Sequence, residues 1–169
     1  MIQVRRITRD DPLYEQECTL REDVLLRPIG YDMTRFATDF PGVEERLEHY
    51  VAVLDDRAGP RVIGCAALLP GQPENGAGRV MQMAVNLQRQ GEGIGRCLLA
   101  AVESRAFGSL GLKRLIVHAQ EVNAGFFEKV GWIPEPGSFI EAGVPHRRMV
   151  MEFQAGDAQA EDAIEPDAV

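Results

Sequence analysis

The chain has 169 residues, 45% hydrophobic and 26% charged, which is enough to bury one core and short for two full domains. Its formal net charge is −8, and the last sixteen residues, 154–169, hold five acidic side chains and no basic one. An acidic chain without a basic run is not expected to bind nucleic acid or an anionic membrane surface. We predict one folded domain over residues 1–153 and an acidic, disordered tail over residues 154–169.

The sequence also bears on the cellular compartment. No stretch approaches eighteen consecutive apolar residues, and the first residues, MIQVRRITRDD, lack the apolar core of a secretory signal. The three cysteines, Cys18, Cys65 and Cys97, are an odd number without the spacing of metal ligands. The sequence therefore predicts a cytoplasmic protein with reduced thiols, no membrane segment and no metal site.

The first part of the chain predicts a strand followed by helical segments. Residues 2–8 alternate between apolar and polar side chains, as a half-buried strand does. Asp11 is a suitable N-cap and Pro12 a suitable first helical residue for a helix that Pro28 ends. Residues 30–47 give mixed signals, which predict a short helix and a loop.

Three apolar runs with turn residues between them follow. They are HYVAVLDD (49–56), RVIGCAALLP (61–70) and GRVMQMAV (78–85). Runs of this length, rich in β-branched residues and separated by Gly, Pro and Asn, are typical of neighbouring antiparallel strands. We predict a three-stranded meander.

From Gly93 onward the apolar period changes from two residues to nearly four, which predicts a helix that ends near Gly108. A strand over residues 113–120, a short helix closed by Gly131 and a last strand over residues 145–153 complete the series. The helix between residues 85 and 113 requires a right-handed parallel crossover. The order predicts an α/β fold with a mixed, mostly antiparallel sheet of six or seven strands and about four helices.

The loop QGEGIG, residues 90–95, has a glycine at every second position where a strand meets a helix. The first amides of a helix lack intrahelical partners, and glycines let the backbone approach an anion closely. We interpret the loop as a phosphate cradle, flanked by Arg89 and Arg96. The spacing matches neither a dinucleotide-binding fingerprint nor a P-loop. The alternative is a tight turn whose glycines serve packing alone.

Two motifs carry a resemblance to a known family. MQMAVNLQRQGEGIGRCLL resembles the coenzyme A motif of the GCN5-related N-acetyltransferases (GNAT), with Gln90, Gly93 and Gly95 at the motif positions. FFEKVGW, about thirty residues on, is similar to the Phe-Tyr-x-Lys-x-Gly-Phe helix end of the same superfamily. The segments HAQ, GSFIEAGVPHRRM and REDVLLRPIG are similar to a bacterial subgroup of small single-domain predicted acyltransferases. The resemblance spans residues 2–153.

The resemblance implies the GNAT fold, in which the strand ending at Val85 separates from the strand containing Val117, and acetyl-CoA as the cofactor. It implies that amides of residues 91–96 hold the pyrophosphate and that backbone groups of Met83 and Val85 bind the pantetheine arm. The Met83 amide is then the donor to the thioester carbonyl. The implied cofactor-binding residues are Met83, Ala84, Val85, Gln90, Gly91, Glu92, Gly93, Ile94, Gly95, Arg96, Asn123, Phe126, Phe127 and Lys129.

One position departs from the family pattern. The tyrosine that often protonates the departing thiol is replaced here by Phe127, which has no proton to give. The candidates to act in its place are His118, Glu141 and His146, and we favour Glu141, with His146 as base or substrate contact. His118 has an equally good interpretation as a structural strand residue. Glu141 and His146 fall in a predicted loop, EAGVPH, that folds over the acceptor side.

The acceptor side is less defined. The family's first two helices line it, which implies Arg21, Arg27 and Tyr31 as substrate-binding residues, although a charged helix face explains the two arginines equally well. We predict an enzyme that transfers acetyl to a small-molecule amine by direct attack in a ternary complex. The alternatives are a non-catalytic acyl-CoA sensor, a longer acyl chain, or a protein or peptide acceptor. A homodimer is a further prediction, because edge strands of this fold often pair.

Overall fold

The computed structural model describes residues 1–154, and in them eight strands form one sheet. The strand order is β1-β2-β3-β4-β5-β8-β6, with β7 pairing β8. The strands are β1 (Ile2–Ile7), β2 (Glu48–Asp56), β3 (Gly59–Pro70), β4 (Ala77–Val85), β5 (Arg114–Gln120), β6 (Ile133–Pro134), β7 (Phe139–Glu141) and β8 (Val144–Glu152). Among these eight strands, only β4 and β5 pair in parallel. The predicted α/β fold is confirmed, and the predicted tail lies outside the described residues from residue 155 onward.

Four α-helices flank the sheet: α1 (Leu13–Arg21), α2 (Met33–Asp39), α3 (Ile94–Glu103) and α4 (Ala124–Lys129). A π-helical turn, Glu22–Leu26, extends α1, and another, Ser104–Ser109, extends α3. The Leu13 amide donates to Asp11 Oδ1 at 2.9 Å, so Asp11 caps the start of α1 as its sequence position predicts. Within the described residues, no helix is both long and apolar enough to cross a membrane.

The strand alternation distributes the core over both faces of the sheet. On one face, α3 and α4 pack over strand residues such as Ala66, Leu68 and Val80. On the other face, α1 packs over Val51 and Cys65. Further along that second face, α2 packs on a group made of Leu26, Phe36, Leu47, Ala67, Leu69 and Met81. The sheet is therefore the middle of three layers, and any opening in it joins the α3 side to the α1–α2 side.

The structure corrects two details of the sequence prediction. The sheet has eight strands rather than six or seven, because β6 and β7 span only two and three residues and show no clear alternation. The segment EAGVPH is not a loop, since Glu141 ends β7 and Val144 begins β8 in a tight hairpin. β8 lies inside the sheet between β5 and the short strands β6 and β7. β8 is therefore not an edge strand, and the homodimer stays a prediction.

Candidate active site

The sheet opens between β4 and β5. Their parallel pairing covers only Ala77–Val80 against Arg114–Val117. From Met81 to Val85 no pairing joins β4 to β5, while β5 stays paired to β8 up to Gln120. The gap that the resemblance implied is therefore present at the carboxyl end of β4.

A bulge in β4 marks the start of this gap. Gln82 has φ +50°, in the left-handed region that non-glycine residues rarely adopt, and the β3–β4 register shifts opposite it. Met81 packs on the α2 side with Leu26 and Phe36, whereas Met83 packs on the α3 side. Without a bulge, residues 81 and 83 would share one face of the strand. The bulge therefore directs the Met83 side chain toward the α3 side of the sheet.

A buried ionic network on the α1 side contacts the bulge residue. Arg21 Nε donates to Gln82 Oε1 at 3.1 Å. The Arg21 guanidinium forms a two-point ion pair with Glu44, at 2.7 and 2.8 Å, and the Arg21 side chain is 0% exposed. Glu44 also accepts from the Tyr14 hydroxyl at 2.7 Å. Burial alone raises the pKa of the Glu44 carboxyl, but the hydrogen bonds and charge of Arg21 outweigh burial and hold that pKa below its ordinary value.

Arg21 is thus placed differently from the sequence expectation. It was expected to line the acceptor side, but it lies under the sheet and does not line either cavity described below. Glu17, one helical turn before it, is equally buried and lies 2.9 Å from His49 Nδ1. Arg21 contacts two residues that line the second of these cavities: its Nε donates to Gln82, and its guanidinium lies over the Phe36 ring at 5.4 Å from the centroid.

The first cavity, which we call the cofactor cavity, lies on the α3–α4 side of the gap and has a volume of about 470 Å³. Its lining residues are Met83, Ala84, Val85, Arg89, Gln90, Gly91, Gly93, Ile94, Gly95, Arg96, Asn123, Phe126, Phe127, Lys129 and Val130. Three of these, Arg89, Arg96 and Lys129, are basic. All residues that the resemblance implied for the cofactor line this cavity except Glu92, which is exposed and pairs with Arg89 at 3.3 Å.

The amino end of α3 fits a bound phosphate group. Gly91 and Gly93 have φ values of +83° and +81°, which a side chain would strain, and no Cβ at either position would meet another atom within 4 Å. In the described part of the chain, no side chain caps the start of α3. A Cβ on Gly95 would lie 3.0 Å from Met83 Cε and 3.2 Å from Phe126 Cζ, so a side chain there would fill the cavity. The cradle is open because these positions are glycines.

The second cavity, which we call the acceptor cavity, lies on the α1–α2 side and has a volume of about 160 Å³. It has an apolar wall from the π-helical turn and the α2 region, made of Leu25, Leu26, Ile29, Tyr31, Phe36 and Phe40. Its polar wall comes from the sheet and consists of Arg79, Gln82, His118, Gln120, Glu141 and His146. Of the residues expected on the acceptor side, Tyr31 lines this cavity, whereas Arg27 is not among the lining residues and pairs with Asp23 at 2.7 Å in an exposed position.

Glu141 is the centre of the polar wall. His118 Nδ1 lies 3.1 Å from Glu141 Oε1, and Arg79 Nη2 lies 3.2 Å from the same oxygen. Burial raises the pKa of this carboxyl, but the His118 hydrogen bond and the Arg79 charge outweigh burial and lower that pKa below its ordinary value. An ionised carboxylate only accepts, so the proton of this contact is on His118 Nδ1.

His146 is held differently. Its Nδ1 donates to the Val144 carbonyl oxygen at 2.7 Å, and its Nε2 lies 3.9 Å from Glu141 Oε2, beyond hydrogen-bond distance. Its side chain is only 9% exposed, compared with 23% for His118. Phe139 lies against both imidazole rings, with ring centroids at 5.0 Å from His118 and 5.9 Å from His146. The three candidate polar residues are therefore close together, and His118 is the more accessible of the two histidines.

Some lining residues were not anticipated from the sequence. Arg79, Gln82 and Gln120 belong to strands whose neighbouring residues are apolar, and a charged side chain inside such a strand is the signal that could have identified Arg79. The aliphatic and phenyl residues of the apolar wall had no comparable signal, because apolar side chains on a helix usually serve the core. Their position at a cavity depends on the tertiary arrangement alone.

The two cavities meet at one place. Met83, Asn123 and Phe127 line both of them, and the residues otherwise differ. Phe127 is buried, with its ring at right angles to those of Phe126 and Trp132. The two cavities are therefore adjacent beside Met83, where β4 separates from β5.

Known proteins share this architecture. Residues 35–153 match the family model described as "Acetyltransferase (GNAT) domain". An amino-acid acetyltransferase of Ralstonia nicotianae is 31% identical over 128 residues, which are 73% of this chain and 27% of that relative. The chain thus spans about a quarter of the length of this curated relative.

Solved structures agree on the fold. ElaA of Escherichia coli superposes with a TM-score of 0.72 at 19% identity, over 90% of this chain and all of that one. An aminoglycoside 6'-N-acetyltransferase, solved in complex with coenzyme A, superposes with a TM-score of 0.69 at 16% identity, over 89% of this chain and 96% of that one. The acyl donor of this fold and family is acetyl-CoA, as the glycine motif implied. The chain belongs to the GNAT acetyltransferase family.

Proposed function

We propose that the protein transfers an acetyl group from acetyl-CoA to the amine of a small molecule, by direct attack while both are bound. The observation that carries this proposal is that two cavities share Met83, Asn123 and Phe127, one lined by the open start of α3 and basic side chains and the other by an apolar and a polar wall of side chains. Two reactants held on opposite sides of one gap need no covalent enzyme intermediate.

The cofactor cavity is suited to hold the donor through its own groups. The start of α3 offers amides to a diphosphate, and Arg89, Arg96 and Lys129 offer positive charge. Bound acetyl-CoA supplies an acetyl group activated as a thioester. We assign to the backbone amide of Met83 the hydrogen bond to the acetyl carbonyl oxygen, where negative charge develops during attack. The bulge at Gln82 supports this role, because it turns Met83 toward the cofactor side.

We assign the role of general base to His118. Glu141 orients its ring by accepting from Nδ1–H, so that Nε2 takes the proton that the amine loses as its nitrogen bonds to the acetyl carbon and the carbon–sulfur bond breaks. Arg79 keeps Glu141 ionised and in place. His146 Nδ1 donates to the neutral Val144 carbonyl rather than to a carboxylate, and the His146 side chain is less exposed than that of His118, which favours a substrate-contact role for His146.

Phe127 leaves the departing sulfur without a donor side chain at the usual position. A thiol with an ordinary pKa of about 8.5 is a tolerable leaving group without one. Phe127 instead lines both cavities where they adjoin, which supports a role in excluding water from the thioester.

The state of the thiols supports a reducing compartment, for which we propose the cytoplasm. Cys18, Cys65 and Cys97 are all free, and Cys97 is exposed. Exposed thiols persist where glutathione keeps them reduced.

The test is a two-step titration. Acetyl-CoA is first titrated into the protein by calorimetry, and release of free coenzyme A is then followed with a thiol reagent across a panel of amines and short peptides. The proposal expects binding followed by amine-dependent release. Absence of binding would refute it, and tight binding without release for any acceptor would instead favour the acyl-CoA sensor. A preference for longer acyl chains or for peptides would select the other acyltransferase alternatives.

A further inference from the structure

We propose that the acceptor is a monoamine with a small apolar or aromatic body, and not a polyamine or an amino sugar. This inference rests on the proposed function and specifies its acceptor. It is carried by three properties of the acceptor cavity: the composition of its outer wall, its size and its balance of charge.

The outer wall is apolar and fixed. Leu26 and Phe36 are 3% and 2% exposed and pack with Met81 beneath the cavity. The Tyr31 hydroxyl donates to Asp39 Oδ2 at 2.7 Å, and the Arg35 guanidinium lies over the Tyr31 ring at 4.2 Å from its centroid. The Tyr31 hydroxyl therefore has its hydrogen-bond partner outside the cavity. The part of Tyr31 that a ligand in the cavity can contact is its ring. A wall of this kind binds hydrocarbon surface and offers little to a polyhydroxylated molecule.

The volume limits the body of the acceptor. At about 160 Å³ the cavity is close to the size, about 150 Å³, of an apolar protein cavity that accommodates a benzene ring. One aromatic ring or a branched chain of similar size fits, and the apolar wall, rather than the volume, disfavours an amino sugar of the same size. The amine end then lies toward the polar wall, near His118 and Met83, which both line the cavity.

The charges of the lining exclude a second cationic group. Among the described residues that line the cavity, the formally charged ones are Arg79 and Glu141, which pair with each other at 3.2 Å. The same carboxylate also holds His118. A second ammonium group in the cavity would therefore lose water without gaining a free carboxylate, and it would lie near the positive charge of Arg79.

A matched pair of amines tests this directly. n-Pentylamine and 1,4-diaminobutane have nearly the same length and differ by a terminal methyl or ammonium group. Each is titrated by calorimetry into the protein saturated with coenzyme A, and kcat/KM is measured with acetyl-CoA. We expect n-pentylamine to bind at least tenfold more tightly and to react with the higher kcat/KM. Each methylene from ethylamine to n-pentylamine should raise kcat/KM about fourfold, as expected for full burial.

A charge-adding variant makes the test independent of the wild-type panel. Ile29 lines the apolar wall, is half-buried and lies outside the buried core, so Ile29→Glu should fold and should shift preference toward the diamine by at least tenfold. Ile133→Glu is the matched control, because Ile133 is 67% exposed on β6 and lies away from the cavity. The control should leave the preference unchanged.

The outcomes separate this inference from the proposed function. If coenzyme A does not bind, the proposed function fails. If coenzyme A binds but 1,4-diaminobutane binds as tightly as n-pentylamine or more tightly, only the acceptor class is wrong. Binding of neither amine to the coenzyme A complex, or an unchanged preference in folded Ile29→Glu, also overturns the acceptor class.

Discussion

The two cavities are built in different ways. The cofactor cavity comes largely from one continuous stretch, residues 83–96, and its proposed phosphate cradle is the backbone at the start of α3. The acceptor cavity is built from side chains of the α1–α2 region, β4, β5 and the β7–β8 hairpin. A site made of backbone groups at a helix terminus restricts which residues can stand there. A site made of side chains from elements far apart in the sequence allows the residues that line it to vary. The difference explains why a conserved donor can be used with many acceptors.

The largest effect should come from removing the proposed base on the acceptor side. His118→Ala is expected to lower kcat by about 10²- to 10⁴-fold, the usual contribution of general base catalysis, with an unchanged Kd for coenzyme A. His146→Ala is the comparison, and its effect on kcat should be smaller because His146 is less exposed and its Nδ1 partner is a neutral carbonyl, which stabilises a protonated ring less than the carboxylate beside His118. Steady-state kinetics and calorimetry measure both. A larger loss of kcat in His146→Ala would transfer the role of base to His146.

The next effect is on stability and concerns the network below the bulge. Arg21→Met leaves Glu44 buried without its partner, so the free energy of unfolding should fall by about 3–5 kcal/mol. Arg27→Met is the matched control, because Arg27 is 64% exposed and its pair with Asp23 should contribute about 0.5 kcal/mol or less. Urea denaturation compares the two variants. Equal losses would mean that the buried network does not stabilise this side of the sheet.

A smaller effect is expected on the cofactor side. Gly95→Val adds a side chain that meets Met83 and Phe126 inside the cofactor cavity, so the Kd for coenzyme A should rise at least tenfold, about 1.4 kcal/mol. Gly108→Val is the control, since a Cβ there meets no atom within 4 Å and its φ lies outside the positive region. Calorimetry gives both values. An unchanged Kd in folded Gly95→Val would place the cofactor elsewhere.

The smallest effect is on the pH dependence of stability. The pKa of Glu44 is lower in the folded protein than its ordinary value of 4.5, so the stability from its pairing is fully present above that pH. That stability is lost as the pH falls through the lowered pKa. Urea denaturation from about pH 7 to about pH 3 should show that wild type loses more stability than Arg21→Met. Parallel pH profiles would contradict the assigned cause of the pKa shift.

Much of the fold was predictable from local sequence patterns. The alternation in residues 2–8 and in the three runs of the meander, and the change of period after Gly93, correspond to β1–β4 and α3. The short strands β6 and β7 were not predicted, because two or three residues are too few to show an alternation of apolar and polar side chains. Their pairing with β8 depends on neighbours far along the chain.

The site was predictable in the same uneven way. The glycine loop predicted the proposed cofactor side, because φ values near +80° and an open helix start restrict the residue types. The contact between His118 and Glu141 joins residues 23 positions apart through the β5–β8–β7 pairing, which no local pattern reveals. Arg21 was misplaced because charged residues on a helix are usually exposed, whereas here Glu17 and Arg21 lie on the buried face of α1.

A crystal structure with acetyl-CoA tests the central claim most directly, namely that donor and acceptor meet beside Met83. The account predicts the diphosphate at the start of α3 and the acetyl carbonyl oxygen at about 2.7–3.1 Å from the Met83 backbone nitrogen. An acetyl group in another part of the molecule, or a diphosphate bound away from residues 91–96, would contradict it.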